Sequence, residues 1–364
     1  MRQKELSRRD FLKAGMGVAL GAATGSLTLG SIRWPEAPER AVVSIVKIKR
    51  GNIAGAVEKA IDLLGGIETV TRGKERIMLK PNLVADSPNC TTKPEVIKAL
   101  SRLMKAAGKE VLIGEGSAAA GGFNASKGEV YRTRNREVLD GLQKRVFERL
   151  GYTDLAQSMH LPLINLHSGE MVDVPVPDAF AFKTITLHRS LSDIDLLCSV
   201  PMMKTHVLAT VTLGMKNLIG LYPGTVYATV RAGVHDCAAS AGSRGVAFEI
   251  VDMVRANKLG LVVIDGSTAM EGNGPTGGGL VKMGLIVAGT NPLATDMVAS
   301  QIMGFTMEEI PTFSCAQKAG MTPTSFNEIE VRGEKIRDVK RAFKKPDVIS
   351  WESICQSWGV KEIG

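Results

Sequence analysis

The chain has 364 residues, a formal net charge of +8 and only 5% aromatic residues. Half of that charge lies in residues 1–33, so the rest of the chain is only mildly basic. No basic stretch is interleaved with aromatic rings, and nucleic-acid binding is therefore not among the predicted functions. The five cysteines lack Cys-x-x-Cys spacing, so the sequence carries neither a zinc ribbon nor a local iron–sulfur motif.

The amino-terminal segment has the pattern of an export signal. Ser7-Arg8-Arg9-Asp10-Phe11-Leu12-Lys13 precedes an apolar run rich in Gly and Ala from Ala14 to Leu29. This pattern predicts a twin-arginine signal over residues 1–33, the export machinery as a partner, and a periplasmic or other extracytoplasmic location. The apolar run is shorter than the about 20 residues that span a bilayer. An uncleaved leader that tethers the protein to the membrane stays open as an alternative.

Apolar runs of strand length and helix length alternate after the leader. Thr92-Lys93-Pro94-Glu95 has the spacing of a capping box at a helix start. The alternation predicts an α/β fold, a mostly parallel sheet covered by helices, over residues 42–333. Two closely joined halves with a boundary near residue 190 are an alternative. The first predicted elements are strand 42–49, helix 53–64, strand 76–79, a helix ending near residue 107, and strand 110–113.

The later elements include a departure from this alternation. Residues 171–187 are rich in Pro, Val, Phe and Thr, which predicts short antiparallel strands inserted between the parallel units. Residues 326–338 are predicted to form a hairpin that turns at Gly333. The residues from 334 to 364 are predicted to form a C-terminal appendage.

The strongest candidate for chemistry follows the apolar strand 194–200. Pro201 should end that strand, and Lys204-Thr205-His206 should leave it, since proline cannot donate to a ladder. If 207–215 forms a helical or irregular turn, Lys216 returns beside His206. We expect His206 to act as acid or base, and Lys204 and Lys216 to stabilise negative charge or hold a cofactor. Lys216 is predicted to be more buried than Lys204. Solvated lysines with a satisfied loop histidine are the alternative.

Polar residues also follow other predicted strands, among them strand 259–264, which Asp265 follows and after which Gly266 should open a turn. The carboxyl ends of parallel strands meet at one edge of a sheet, where ligands bind. Beside the lysine–histidine group, this edge should gather five ligand-binding residues, namely Lys80, Asn82, Glu115, Asn217 and His235. His235 is placed there as part of an anion-facing lid. Asp265 and Glu271 are predicted to bind a metal or a polar ligand, with simple turn formation as the alternative.

These residues also carry a resemblance to a family. Its motifs are Lys80-Pro81-Asn82, Thr91-Thr92-Lys93-Pro94-Glu95, Pro201-Met202-Met203-Lys204-Thr205-His206, Thr212-Leu213-Gly214-Met215-Lys216-Asn217-Leu218-Ile219-Gly220, Asp265-Gly266 and Met270-Glu271-Gly272-Asn273-Gly274-Pro275. Their order and spacing over residues 42–333 resemble the domain of unknown function 362 family. The resemblance is to members without the added ferredoxin-like module. A looser likeness is to nickel-pincer lactate racemases, which implies a catalytic role for His206 and a cofactor-bearing role for Lys216.

The resulting functional hypothesis is an exported enzyme, an oxidoreductase or an isomerase such as a racemase. It would act on a small anionic or hydroxylated molecule by proton or hydride transfer. A divalent metal or an organic redox cofactor is compatible with this hypothesis, and twin-arginine export suits a cofactor that is inserted before export. The alternative is a non-catalytic periplasmic protein that binds a ligand or carries a cofactor.

Overall fold

The computed structural model describes residues 40–118, 125–126, 129–130 and 132–357. The predicted leader, residues 1–33, lies outside these described residues. The described residues from 40 to 357 belong to one compact unit. The predicted domain boundaries within the chain, including the one near residue 190, stay predictions. In the described part of the chain, no helix combines the length and the apolar character that crossing a membrane requires.

Strands and helices alternate as the sequence pattern predicts. The strands are β1 (Ala41–Lys47), β2 (Arg76–Pro81), β3 (Glu110–Glu115), β4 (Ala125–Ser126), β5 (Glu129–Val130), β6 (Leu163–Asn165), β7 (Met171–Pro175), β8 (Thr184–His188), β9 (Leu196–Val200), β10 (Met202–His206), β11 (Thr210–Thr212), β12 (Leu259–Glu271), β13 (Gly279–Val281), β14 (Leu285–Gly289) and β15 (Ile329–Gly333). The α-helices are α1 (Ile53–Leu63), α2 (Ile67–Val70), α3 (Pro94–Ala106), α4 (Arg136–Arg149), α5 (Tyr152–Met159), α6 (Gly224–Tyr227), α7 (Ala232–Ser240), α8 (Ala247–Arg255), α9 (Pro292–Ile302), α10 (Pro311–Lys318), α11 (Ile336–Val339) and α12 (Trp351–Ser357).

The main sheet is mixed but mostly parallel. Its strand order is β15-β1-β14-β12-β9-β2-β3-β6. From β12 to β6 every neighbouring pair is parallel, whereas β14 runs antiparallel to both β12 and β1. The antiparallel pair β7–β8 forms a separate small sheet. The predicted fold class, a mostly parallel sheet with inserted short antiparallel strands, is confirmed.

Helices cover both faces of the sheet. On β2, Ile77 and Leu79 pack in one cluster with apolar residues of α1 and α3, while Met78 packs in the cluster that contains residues of α8 and α9. All three side chains are fully buried. Burial on both faces explains why β2 is a continuous apolar run rather than an alternating one.

The start of α3 differs from the predicted capping box. Lys93 is the N-cap residue and makes no side-chain capping bond. The Thr92 hydroxyl instead donates to the carbonyl of Val200 at 2.6 Å and accepts from the amide of Asn82 at 2.9 Å. The amide of Lys93 donates to Asp265 Oδ2 at 3.0 Å. A carboxylate from a distant strand therefore stabilises this helix start.

At two positions where the sequence predicts that a strand ends, the chain continues as a strand. After Pro201 the chain resumes as β10, which pairs with β12 on one side and with β11 on the other. The predicted helical or irregular turn over 207–215 is therefore wrong, since it contains the β-branched strand Thr210–Thr212. Likewise β12 does not stop before Gly266 but runs on to Glu271, where it pairs with β13.

The predicted hairpin at 326–338 is also wrong. β15 pairs in parallel with β1 at the edge of the main sheet, and the short helix α11 follows it. The alternating apolar residues of 326–331 fit either pairing. The parallel pairing forms because the edge of β1 has free backbone donors and acceptors with which β15 can pair.

Candidate active site

Four of the predicted ligand-binding residues meet at the carboxyl edge of the sheet. The ammonium group of Lys80 donates to Glu115 Oε2 at 2.9 Å, to Asn217 Oδ1 at 3.1 Å and to the carbonyl of Pro81 at 2.9 Å. Lys80 is fully buried, and burial lowers its pKa although Glu115 opposes the shift. Lys80 has three acceptors, which matches the number of protons on its ammonium group.

Asn217 connects the members of this cluster. Its amide nitrogen donates to the carbonyl of Lys80 and to the hydroxyl of Ser199, both at 3.1 Å. Its oxygen also accepts from the amide nitrogen of Asn82 at 3.1 Å. We name Lys80, Asn82, Glu115 and Asn217 the saturated cluster.

The carboxylate of Glu115 completes the saturated cluster by accepting hydrogen bonds from backbone amides. Besides the Lys80 ammonium, it accepts the amides of Leu83 at 2.9 Å and of Gly116 at 2.8 Å. The predicted convergence of these residues occurs. Apart from Asn82 Oδ1, which has no partner among the described residues, their side-chain polar atoms bond to one another or to neighbouring groups and form a hydrogen-bonded network. Their role in ligand binding stays a prediction.

Lys204 lies inside β10 and is also held by protein groups. Its ammonium donates to the carbonyls of Cys90 at 2.6 Å and of Pro275 at 3.3 Å. Burial lowers its pKa to about 8. Lys204 is fully buried, whereas Lys216 is partly exposed. The prediction that Lys216 is the more buried of the two is therefore wrong, because Lys204 belongs to an internal strand rather than to a loop at the mouth of a crevice.

A partly open cavity of about 300 Å³ lies beside these residues. Its volume is at the lower end of the range for small-molecule sites. Polar side chains that line it are those of His206, Lys216, Arg231, His235 and Thr276. The rest of the lining is mainly apolar, from Val84, Val207, Leu208, Ile219, Val230, Val246, Pro275, Trp351 and Ile354. We name it the cationic cavity.

His206 enters the cationic cavity as a neutral imidazole. Its Nδ1 accepts the amide of Leu208 at 3.0 Å, so the ring proton resides on Nε2. Burial lowers its pKa well below the ordinary value, and the nearby charges of Lys216 and Lys204 lower it further. Within the described residues, Nε2 makes no hydrogen bond. This nitrogen is therefore available to donate to a ligand.

Lys216 begins a 3₁₀ turn, Lys216–Leu221, whose start is fixed by a buried carboxylate. Asp296 accepts the amides of Gly214 at 2.7 Å and Met215 at 2.9 Å. Asp296 therefore acts on the backbone before Lys216 and not on a lysine ammonium group. The same turn places Lys216 in the cationic cavity and Asn217 in the saturated cluster.

The amine of Lys216 differs from those of Lys80 and Lys204. It makes no hydrogen bond or ion pair with any residue of the described ranges. Burial lowers its pKa to about 7, and the charges of Lys204 and Lys80 act in the same direction. Amine and ammonium forms are therefore both populated at neutral pH.

His235 reaches the cationic cavity from α7, and Glu249 of α8 orients it. Its Nδ1 lies 2.9 Å from Glu249 Oε2 and 3.0 Å from Oε1, while its ring lies 4.6 Å from that of Trp351. Glu249 was not predicted from the sequence. The available signal was a pair of acids, Glu249 and Asp252, on the buried side of an otherwise apolar helix.

Arg231 supplies a buried positive charge to the cavity wall. Its guanidinium donates to the carbonyls of Ser117 at 2.9 Å, of Gly220 at 3.2 Å and of Gly116. Burial lowers its pKa to about 10. It stands in the left-handed region at φ 59°, directly after Val230 at φ 49°. This backbone costs on the order of 1–3 kcal/mol per residue, and such strain often marks functional sites.

The two predicted metal ligands, Asp265 and Glu271, stand six positions apart in β12 and accept hydrogen bonds from different partners. Their role as metal ligands stays a prediction. Asp265 accepts from Ser267 and Lys93, and Glu271 accepts the amide of Lys344. In the part of the chain that the structure describes, no group of three or more His, Cys, Asp or Glu is arranged to hold a metal ion. All five cysteines are free.

The fold and the site define an α/β protein with a partly open, positively charged cavity at the carboxyl edge of its parallel strands. The chain belongs to the family described as Domain of unknown function (DUF362), whose model matches residues 77–301. A model of the twin-arginine translocation pathway signal sequence matches residues 5–25. The protein is thus exported by the twin-arginine route to an extracytoplasmic location, and the signal supports an interaction with that export machinery.

One relative comes from Synechocystis sp. and is the thylakoid-associated protein sll1697. It is 28% identical over 278 residues, which cover 76% of this chain and 77% of that protein. The lactate racemase apoprotein from Thermoanaerobacterium thermosaccharolyticum matches 74% of this chain at a TM-score of 0.42 and 15% identity. A Thermotoga maritima protein matches 61% at a TM-score of 0.32 and 14% identity. This chain spans 58% and 51% of those two structures, and neither similarity assigns it a reaction.

Proposed function

We propose that this protein is an enzyme that acts on a small anionic molecule by proton transfer in the cationic cavity. The observation that carries the proposal is a cavity wall with cations that lack carboxylate partners. Lys216 and Arg231 line the cavity, and Lys204 is buried close by. Among the described residues, none of these three makes an ion pair. A bound anion would supply the missing negative charge.

The cavity also holds groups suited to moving a proton. The Nε2 proton of neutral His206 can donate a hydrogen bond to negative charge that develops on a substrate oxygen. His235, with Nδ1 held by Glu249, presents Nε2 as a base, and the Lys216 amine is a second base. Proton transfer therefore needs only side chains that line the cavity.

The proposal predicts exchange of a carbon-bound hydrogen, at C2 of a 2-hydroxy acid or at C3 of a 2-oxo acid. The exported protein is incubated in D₂O with a panel of small 2-hydroxy and 2-oxo acids, and deuterium incorporation is followed by NMR. At least one acid should raise the thermal midpoint and lose its hydrogen signal. His206→Gln should slow the exchange, while the exposed Lys59→Arg serves as a matched control.

The same experiment separates the enzyme from the alternative. Protection against unfolding without any exchange would favour a non-catalytic periplasmic protein that binds a ligand or carries a cofactor. Absence of both protection and exchange across the panel would contradict the proposal. Equal exchange by the parent and by His206→Gln would remove His206 from the mechanism and leave the cavity assignment to the binding data.

A further inference from the structure

We infer that Lys216 captures a small carbonyl-bearing anion, such as a 2-oxo acid, as a covalent imine within the cationic cavity. This inference rests on the proposed function and names the substrate class of the same site. It follows from three observations: the free amine of Lys216, the mixed charge and polarity of the cavity wall, and the proton carriers beside the amine.

The first observation is a difference among three neighbouring lysines. Lys80 donates to three acceptors and Lys204 to two. Lys216 makes no such bond to the residues that the structure describes, although its side chain lines the cavity. A lysine held by acceptors must break those bonds before it can attack a carbonyl, whereas Lys216 has none to break. The low pKa of Lys216, about 7, leaves a nucleophilic amine at neutral pH.

The second observation is that the cavity wall has a positively charged part and an apolar part. The guanidinium of Arg231 faces only backbone carbonyls at bonding distance. It provides positive charge for a carboxylate. Apolar side chains such as Val207, Ile219 and Val246 form much of the remaining wall. A cavity of about 300 Å³ with this wall suits a short 2-oxo acid that carries a small apolar substituent.

The third observation concerns the protons of the reaction. The lone pair of the Lys216 nitrogen attacks the carbonyl carbon, and the electrons of the C=O double bond move to the oxygen. The two amine protons leave with that oxygen as water while a carbon–nitrogen double bond forms, so no oxidant or reductant is consumed. His235, oriented by Glu249, lies on the same cavity and can carry a proton from nitrogen to oxygen.

Reductive trapping tests the inference directly. The exported protein is incubated with pyruvate or glyoxylate, sodium borohydride is added, and the intact mass and the modified peptide are measured. Borohydride delivers hydride to the imine carbon and converts the adduct to a stable secondary amine. We expect a single adduct in near-stoichiometric yield on the peptide that contains Lys216. The yield should rise from pH 6 to pH 8 as the amine deprotonates.

Variants and probes make the test specific. Lys216→Arg and Lys216→Met should each lose the adduct while keeping a cooperative thermal transition, and Lys59→Arg should trap as the parent does. A neutral carbonyl probe, propanal, should react at least tenfold less than glyoxylate at Lys216. Two different Lys216 variants guard against a result that reflects misfolding of one of them.

Two outcomes would overturn the inference, and they are distinguishable from failure of the proposed function. One is an adduct spread over surface lysines and unchanged in both Lys216 variants. The other is no adduct although pyruvate or glyoxylate raises the thermal midpoint, which leaves anion binding and proton transfer standing. If no acid of the panel binds or exchanges, the proposed function itself fails together with the inference.

Discussion

The saturated cluster and the cationic cavity lie at the same edge of the sheet and use the same residue types. In the cluster, Lys80 meets Glu115 and Asn217, and its three protons have three acceptors. In the cavity, Lys216 meets neither a carboxylate nor a carbonyl among the described residues. The difference teaches that burial alone does not mark a reactive lysine. What marks it is an amine that lines the cavity and whose neighbours do not satisfy its hydrogen bonds.

Two histidines repeat this contrast. His167 is fully buried, and both of its ring nitrogens are engaged, Nδ1 by the amide of Gly224 at 3.1 Å and Nε2 by the carbonyl of Ser117 at 2.8 Å. His206 is nearly as buried but uses only Nδ1. Burial lowers the pKa of both rings. Of these two histidines, His206 alone retains a ring nitrogen that can bond to a ligand.

The largest effect is expected from breaking the saturated cluster. Lys80→Met leaves the Glu115 carboxylate buried without its cation, which should lower the free energy of unfolding by about 3–5 kcal/mol. Urea denaturation measures the change. Adding Glu115→Gln to Lys80→Met removes the isolated charge and should recover part of the loss. A loss below about 1 kcal/mol in Lys80→Met would show that the cluster is not structural.

The next effect concerns catalysis in the cationic cavity. Glu249→Gln weakens the hold on His235 and should slow hydrogen–deuterium exchange of the substrate on the order of 10²-fold, with little change in substrate affinity. Glu249 is a positioning residue, so the pH–rate profile should change together with the rate. An unchanged profile with a lowered thermal midpoint would instead assign Glu249 a purely structural role.

A smaller effect is expected where the two regions share one turn. Asp296→Asn replaces one of two accepting oxygens with an amide nitrogen, so either Gly214 or Met215 loses its acceptor. The cost to unfolding should be about 1–3 kcal/mol. Because the turn positions Lys216, the yield of borohydride-trapped adduct should also fall. Retention of full trapping at reduced stability would separate the turn from the chemistry.

The smallest effect is expected to be a gain in stability rather than a loss. The pKa of Lys216 falls from 10.5 to about 7 on folding, so below about pH 7 both states are protonated and the full cost of burying the charge is present. As pH rises from 7 towards 10.5, only the unfolded chain keeps the proton, and this cost is relieved. Lys216→Met should therefore raise the thermal midpoint more at pH 6 than at pH 9.

A differential scan at both pH values checks this prediction, with Lys59→Met as the exposed control. A lower midpoint for Lys216→Met at pH 6 would mean that Lys216 has a stabilising partner. In that case the contrast between the saturated cluster and the cationic cavity would not hold.

Several parts of the fold could be predicted because they depend on short patterns. Arg8-Arg9 before an apolar run indicates export whatever the rest of the chain does. Buried strands such as β2 and β9 are continuous apolar runs, and their alternation with helices implies parallel pairing. Parallel pairing in turn implied that Lys80, Glu115 and Asn217 would meet.

The errors arose where a local signal competed with a distant partner. Pro201 does end β9, but β12 provides a second strand on which Met202–His206 can pair. Gly266 permits a turn, yet pairing with β14 on one side and the later β13 keeps β12 extended. The order of burial of Lys204 and Lys216 reversed for the same reason, because Lys204 lies in the strand that was not expected.

The sequence by itself determined the export signal, the α/β class with its mostly parallel sheet, and the set of polar residues delivered to one edge. Only the tertiary structure decided which of those residues form hydrogen bonds with one another. Lys80 finds Glu115 35 positions away and Asn217 137 positions away, and Lys204 finds Cys90 114 positions away. A hydrogen bond forms only between atoms about 3 Å apart. No pattern within a short segment can therefore show that Lys216, Arg231 and His206 keep groups for a ligand.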